Sequence, residues 1–304
     1  MKTASKSFGI FLALVFVPTA TLRAQNLYVA NHSGGTIGEY ELDGSTVNAS
    51  LISGLNSPVT IAISGNDLFV ANASSGTIGE YGLDGSTVNA SLISGLDNPV
   101  AIAISRNDLF VVNQNAGTLP FYSTIGEYTT SGATVNASLI AEFDDPNSIA
   151  ISGNDLFVGN SSIGTISEYT TSGATVTASL ISGLHNPRGI AISGNDLFVV
   201  NYGIIVGKGY VGEYTISGTT VNASLIPEVD FPFGIAVSGN DLFVPNEAVG
   251  TAGEYGLDGS TINASLISGL DGPEGVAISP APEPSPIALM GLGAATLWAW
   301  CRRK

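Results

Sequence analysis

The chain predicts an all-β fold, a six-bladed β-propeller whose ring is closed by its own two ends, and three observations carry the prediction. The first is repetition. One pattern recurs six times: L-[FY]-V-x-N, a glycine-containing turn, a G-E-Y-type segment, N-A-S-L-I, and P-x-x-[IV]-A-[IV]-S. Its opening leucines, Leu27, Leu68, Leu109, Leu156, Leu197 and Leu242, are spaced by 41, 41, 47, 41 and 45 residues. A period near 40 residues, built of short apolar runs broken by Gly, Asn, Asp and Ser, marks stacked β units. The second observation is that each period divides into four strands, the content of a propeller blade, with no helical period between residues 25 and 280. The third lies at the ends of the array. The first copy starts at its second strand, near Leu27, and the last stops after a first-type strand, Val276 to Ser279. Pairing these two remnants completes a sixth blade and leaves no stranded edge at the seam, whereas an open solenoid would carry atypical capping repeats.

Taken in order through the second repeat, Thr60 to Ser64 is the first strand and Gly65-Asn66 a two-residue hairpin turn, where glycine accepts a positive φ at no steric cost. Leu68 to Ala71 is the second strand, Asn72 to Gly76 a turn, and Thr77 to Leu83 the third strand. Asp84-Gly85 is another hairpin signal, and Thr87 to Ile93 is the outer strand. The order P-x-G-[IV]-A-[IV] followed by [IL]-[FY]-V-x-[DN], across residues 26–279, resembles NHL-type propeller repeats. That resemblance implies a rigid scaffold. Six-bladed lactonases share the pattern, and their metal sites use carboxylate and amide ligands at the channel mouth, but no position of this chain can be assigned to such a set.

The two ends speak of location. Residues 1–24 have the form of an export signal: Lys2 and Lys6, an apolar core from Phe8 to Val17, and Leu22-Arg23-Ala24 before a cleavage point at Gln25. After the propeller body, residues 25–280, comes a tail, residues 281–304. Here Pro282-Glu283-Pro284-Ser285 precede an apolar stretch from Pro286 to Cys301 and the basic end Arg302-Arg303-Lys304. This tripartite tail resembles the PEP-CTERM sorting signal of bacterial proteins. The resemblance implies export, membrane attachment through the C-terminal segment, cleavage by an exosortase-type enzyme, and release to the cell surface or an extracellular polysaccharide matrix. A plain anchor is the alternative, although the apolar stretch is shorter than the roughly 20 residues a span needs.

With both ends set aside, only Arg106, Arg188 and Lys208 stand against 24 acids, a formal charge of minus 21. Such a body repels nucleic acid and anionic lipid. The acids are dispersed by the repeat and not clustered as in a calcium loop, so no cofactor is expected beyond calcium held loosely at the surface.

Residues copied into every blade report what a blade needs to pack. Asn31, Asn72, Asn113, Asn160, Asn201 and Asn246 end the second strands and are expected to start turns. The Glu-Tyr pairs from Glu39-Tyr40 to Glu254-Tyr255 alternate faces and are expected to pack. Function is expected where the repeats differ, on the face that carries the turn between second and third strands. That turn is expanded twice, over Gln114 to Ser123 with Phe121 and Tyr122, and over Tyr202 to Tyr210 with Lys208. On the same face the residue after the blade-opening proline varies: Val59, Val100, Asn147, Arg188, Phe233, Glu274. Asn147, Arg188, Phe233, Glu274, Phe121, Tyr122, Tyr202 and Lys208 are therefore the candidate ligand-binding residues, suited to a polysaccharide or an envelope protein. No catalytic set is found, since His32 and His185 lack recurring partners and Cys301 lies in the tail. The expectation is a non-catalytic binding or structural module of the envelope or matrix. The alternative is a metal-dependent hydrolase or lyase acting on a lactone or polysaccharide.

Overall fold

The computed structural model describes residues 25–114, 123–143, 145–203 and 207–280. The signal segment, Phe121, Tyr122 and the tail, with Pro282, Glu283, Pro284, Ser285, Arg302 and Arg303, lie outside the described residues. Six four-stranded antiparallel sheets form the six blades. In blade 2 the strands run from inner to outer as Pro58–Ser64, Asp67–Asn72, Thr77–Gly82 and Thr87–Ser94. Blade 1 takes its inner strand, Pro273–Ile278, from the far end of the chain and lays it against Asn26–Asn31. Leu27 faces Ile278, Tyr28 faces Ala277 and Val29 faces Val276. The seam is tied further by Ser279 N–H donating to the Asn26 carbonyl at 2.9 Å and Asn26 N–H donating to Ser279 Oγ at 2.8 Å.

The core lies between neighbouring blades. Tyr28, Ala30, Ile37 and Ile52 of blade 1 meet Ile61, Leu68, Val70 and Tyr81 of blade 2, and the ring ends with Leu27, Val29 and Tyr40 against Phe243, Ala252 and Ile267 of blade 6. One strand position carries Tyr28, Phe69, Phe110, Phe157, Phe198 and Phe243, all at most 2% exposed. Truncating one of these to alanine costs about 3–5 kcal/mol by loss of transfer energy plus the cavity left behind.

The G-E-Y segment has a packing reason. Residues two apart share a face of a strand, so the tyrosine ring lies back over the glycine. A Cβ on Gly79 would stand 2.7 Å from the Tyr81 ring, and one on Gly253 would stand 2.8 Å from Tyr255. Where blade 4 has Ser167 instead, its hydroxyl donates to the Ala178 carbonyl at 2.6 Å and accepts from Asn160 Nδ2 at 2.9 Å. The end-of-strand asparagines are buried and serve the structure in two ways, Asn72 and Asn201 donating to the backbone carbonyls of Val70 and Val199 at 3.4 and 3.2 Å. Asn31, Asn160 and Asn246 donate across the hairpin to the hydroxyls of Thr36, Thr165 and Thr251 at 3.1–3.2 Å. Burial drives this choice, because an amide removed from water takes the nearest facing acceptor.

The N-A-S triplets shape the outer strands. Asn48, Asn89, Asn136 and Asn263 each accept, through Oδ1, the backbone N–H of the serine two residues on at 3.1 Å, and Asn222 does so at 3.2 Å. The register shifts at these points. Each outer edge is thus bulged and one of its donors is occupied, two devices that discourage edge-to-edge pairing with other chains.

Candidate ligand site at the channel mouth

The inner strands begin in the same way in every blade. The residue before each opening proline adopts a left-handed backbone, with φ of 56° at Ser57, 51° at Asn98, 60° at Asp145, 55° at Asn186, 47° at Phe231 and 62° at Gly272. The ladder then skips one residue after the proline: Pro58 faces Asn72 but Thr60 faces Ala71, and the same shift follows Pro99, Pro146 and Pro187. In blade 1 the skipped residue is Glu274. A bulged residue is released from pairing and its side chain is re-aimed. Val59, Val100, Asn147, Arg188 and Glu274 are these released positions, Phe233 holds the same place after the proline of blade 6, and all six line one cavity of about 130 Å³ on the channel axis.

One side of this ring is drawn tight. A Cβ on Gly189 would lie 2.7 Å from the Phe233 carbonyl oxygen, one on Gly234 2.5 Å from that of Glu274, and one on Gly275 2.6 Å from that of Val59. Glycine is required for this approach of neighbouring inner strands. Blade 6 departs furthest, its inner strand shortened to Ala236–Ser238. Pro245, opposite it, has no N–H to give. Phe233 N–H still donates to the Pro245 carbonyl at 3.1 Å, but Gly234 N–H turns to the Glu274 carbonyl of blade 1 at 2.9 Å.

Arg188 occupies the tight side. Its guanidinium carbon sits 4.8 Å from the ring centroids of both Tyr202 and Phe233, and Tyr202 meets Phe231 edge-on at 5.9 Å. Among the described residues the guanidinium has no ion-pair partner, and its Nε is buried with no hydrogen-bond partner. Glu274 is 6% exposed, with Oε1 3.6 Å from His32 Nδ1. Burial pushes its carboxyl up to about 8, the charge of Glu247 adds to the rise, and Arg188 opposes it.

The other candidates fall out differently. Asn147 Oδ1 accepts from Gln114 Nε2 at 3.0 Å and its Nδ2 donates to Ser161 Oγ at 2.5 Å, while Gln114 also bonds Asp145. Asn147 therefore braces blades 3 and 4 as part of the wall. Lys208 is ion-paired with Asp230, half exposed and outside the cavity lining. The structure adds Phe231, His32 and Glu247. Phe231 was visible as a break in pattern, since its slot is held elsewhere by Ser57, Asn98, Asp145, Asn186 and Gly272. His32 carries no such mark, because its approach to Glu274 depends on ring closure, and the charge of Glu247 acts on Glu274 from the preceding blade. Among the described residues no three His, Cys, Asp or Glu side chains gather as a metal-holding group, and no helix is long and apolar enough to cross a membrane.

Comparison with known proteins bears on the fold and on the tail. Residues 280–304 match the PEP-CTERM protein-sorting motif, so the six-bladed propeller is followed by a signal for export and surface sorting. No curated protein matches the chain in sequence. Among solved structures, a chain of a nidogen/laminin complex superposes with a TM-score of 0.69 at 15% identity, covering 86% of this chain and 100% of that one. A gluconolactonase from Xanthomonas campestris gives 0.61 at 15% identity, covering 73% of this chain and 79% of its own. A protein of unknown function from Desulfotomaculum acetoxidans gives 0.58 at 16% identity, covering 86% and 100%. At these identities the likeness is one of fold.

Proposed function

We propose that this protein is a non-catalytic binding module of the cell envelope or extracellular polysaccharide matrix, and that it holds its ligand at the channel mouth. The observation that carries this reading is the convergence of a variable position of a largely copied repeat on a single cavity. A position that served only packing would be copied like the buried Phe69, Phe110 and Phe157 beside it. Arg188, held between two aromatic rings, supplies the combination of cation and flat apolar surface that anchors ligands generally. The sorting tail supports an exosortase-type enzyme as processing partner and the cell surface as destination, with membrane attachment through the C-terminal segment before cleavage. The test is a glycan and envelope-protein binding screen on the full chain beside the double variant Arg188→Ala, Phe233→Ala. At least tenfold weaker binding is expected, with the melting temperature changed by no more than a few degrees, because both side chains sit at the mouth and outside the hydrophobic cluster that joins blades 5 and 6. Unchanged affinity would place the site elsewhere. Metal-dependent turnover of a lactone or polysaccharide in the same samples would instead select the hydrolase or lyase alternative.

A further inference from the structure

We infer that the channel mouth receives the carboxylate of a sugar acid, docked on the Arg188 guanidinium beside Glu274. The inference rests on the binding reading above and names the chemistry of the ligand. Three structural observations point to it. A buried donor without a partner carries a desolvation cost that an acceptor removes, and Arg188, whose Nε is such a donor, is one of the residues that line the cavity. The planar fork of an arginine matches a carboxylate in two parallel hydrogen bonds, and the rings of Tyr202 and Phe233, each 4.8 Å from Cζ, restrict the movement of that fork before any ligand arrives. The cavity of about 130 Å³ is the volume of about four waters, room for an acid group and the carbon bearing it, with the sugar ring filling the mouth against Phe233.

Charge agrees with this assignment. In a body of minus 21 an anion is drawn only to a local exception, and Arg188 is one as long as its nearest acid stays neutral. Among the described residues no ion pair joins Glu274 to Arg188. Burial and Glu247 hold the Glu274 proton up to about 8, against the pull of Arg188, and His32 stands on its other side. In that form Glu274 can donate a hydrogen bond to the same carboxylate. Once ionised it would repel the ligand and compete for Arg188.

The experiment is titration calorimetry of the full chain with glucuronate, with glucose as the neutral match, and with an oligosaccharide ending in a uronate. Glucuronate or the uronate-ended oligosaccharide should bind while glucose does not, and the tighter of the two acids identifies a free sugar acid or a chain end as the source. Affinity should fall about tenfold from pH 7 to pH 9 as Glu274 loses its proton. Glu274→Gln should bind at pH 9 as it does at pH 7. Arg188→Lys, which keeps the charge without the fork, should bind more than tenfold more weakly. Equal binding of glucose and glucuronate, or unchanged affinity in Arg188→Lys, overturns the inference. So does a neutral ligand from the wider screen whose binding is lost in the Arg188, Phe233 double variant, although that outcome leaves the binding module standing.

Discussion

Arg106 shows how closely a single residue is constrained by the repeat. It occupies the first-turn slot that Gly65, Gly153, Gly194 and Gly239 fill in other blades, and it is held at a φ of 58° where those glycines lie between 59° and 61°. A left-handed conformation costs an L-residue about 1–2 kcal/mol, and glycine's extra freedom in the unfolded chain returns part of any gain. Arg106→Gly should therefore stabilise the protein by about 0.5–1 kcal/mol, seen as a higher urea midpoint with an unchanged slope; a lower midpoint would mean that the guanidinium makes a contact worth more than the strain. Phe231 is the same kind of exception with a different meaning. Its φ of 47° is costly for an aromatic residue, yet its ring packs on Tyr202, which in turn lies under Arg188. Strain held in place by surrounding contacts tends to gather at functional sites, and here it falls within two side chains of the Arg188 guanidinium, whose Nε lacks a hydrogen-bond partner.

At the scale of the elements, the blades and their closure were legible in the sequence because period, turn residues and the two orphan strands all follow from local pattern. The channel ring was half legible. Strand direction alone put Val59, Val100, Asn147, Arg188, Phe233 and Glu274 on one face, but the bulge that aims them inward is a property of strand register, and the shortening of the blade 6 inner strand follows from Pro245 on a different strand. The contact of His32 with Glu274 joins opposite ends of the chain and leaves no trace in local sequence. The seam itself is testable. Ending the chain before Pro273 removes the inner strand of blade 1 and exposes the pairing groups of Leu27 to Ala30, each unpaired buried group costing about 1–3 kcal/mol. Such a truncation should lose its sharp cooperative melt, while the parent keeps it; a truncated chain that melts like the parent would show that the ring does not depend on this strand.

The whole molecule is shaped by an excess of carboxylates that the fold pushes together. In five blades a glutamate on the third strand stands near an aspartate on the second: Glu80 with Asp67, Glu127 with Asp108, Glu168 with Asp155, Glu213 with Asp196 and Glu254 with Asp241. Partial burial first, and the neighbouring charge second, hold each of these glutamates above the ordinary carboxylate range. In blade 1 Asn26 stands in place of the aspartate and donates to Glu39 Oε1 at 2.7 Å. An acid whose folded value is raised binds a proton in the native state at a pH where the unfolded chain has released it, so stability falls as pH rises through that interval. For the five glutamates the fall begins in the ordinary carboxylate range, and for Glu274 it continues to about 8. Asp43 and Asp258, lowered by hydrogen bonds from Ser45 and Ser260, act in the opposite sense, but they are fully exposed and water screens their contribution. The melting temperature should therefore be higher near pH 5 than near pH 8. The gap should narrow at about 1 M salt, where screening shortens the reach of the repulsion to about 3 Å. Glu274→Gln should flatten the upper part of the profile while leaving the lower part in place. A melting temperature that climbs steadily from pH 5 to pH 8 would contradict the account, because it would mean that the native state releases protons on folding in spite of its crowded acids.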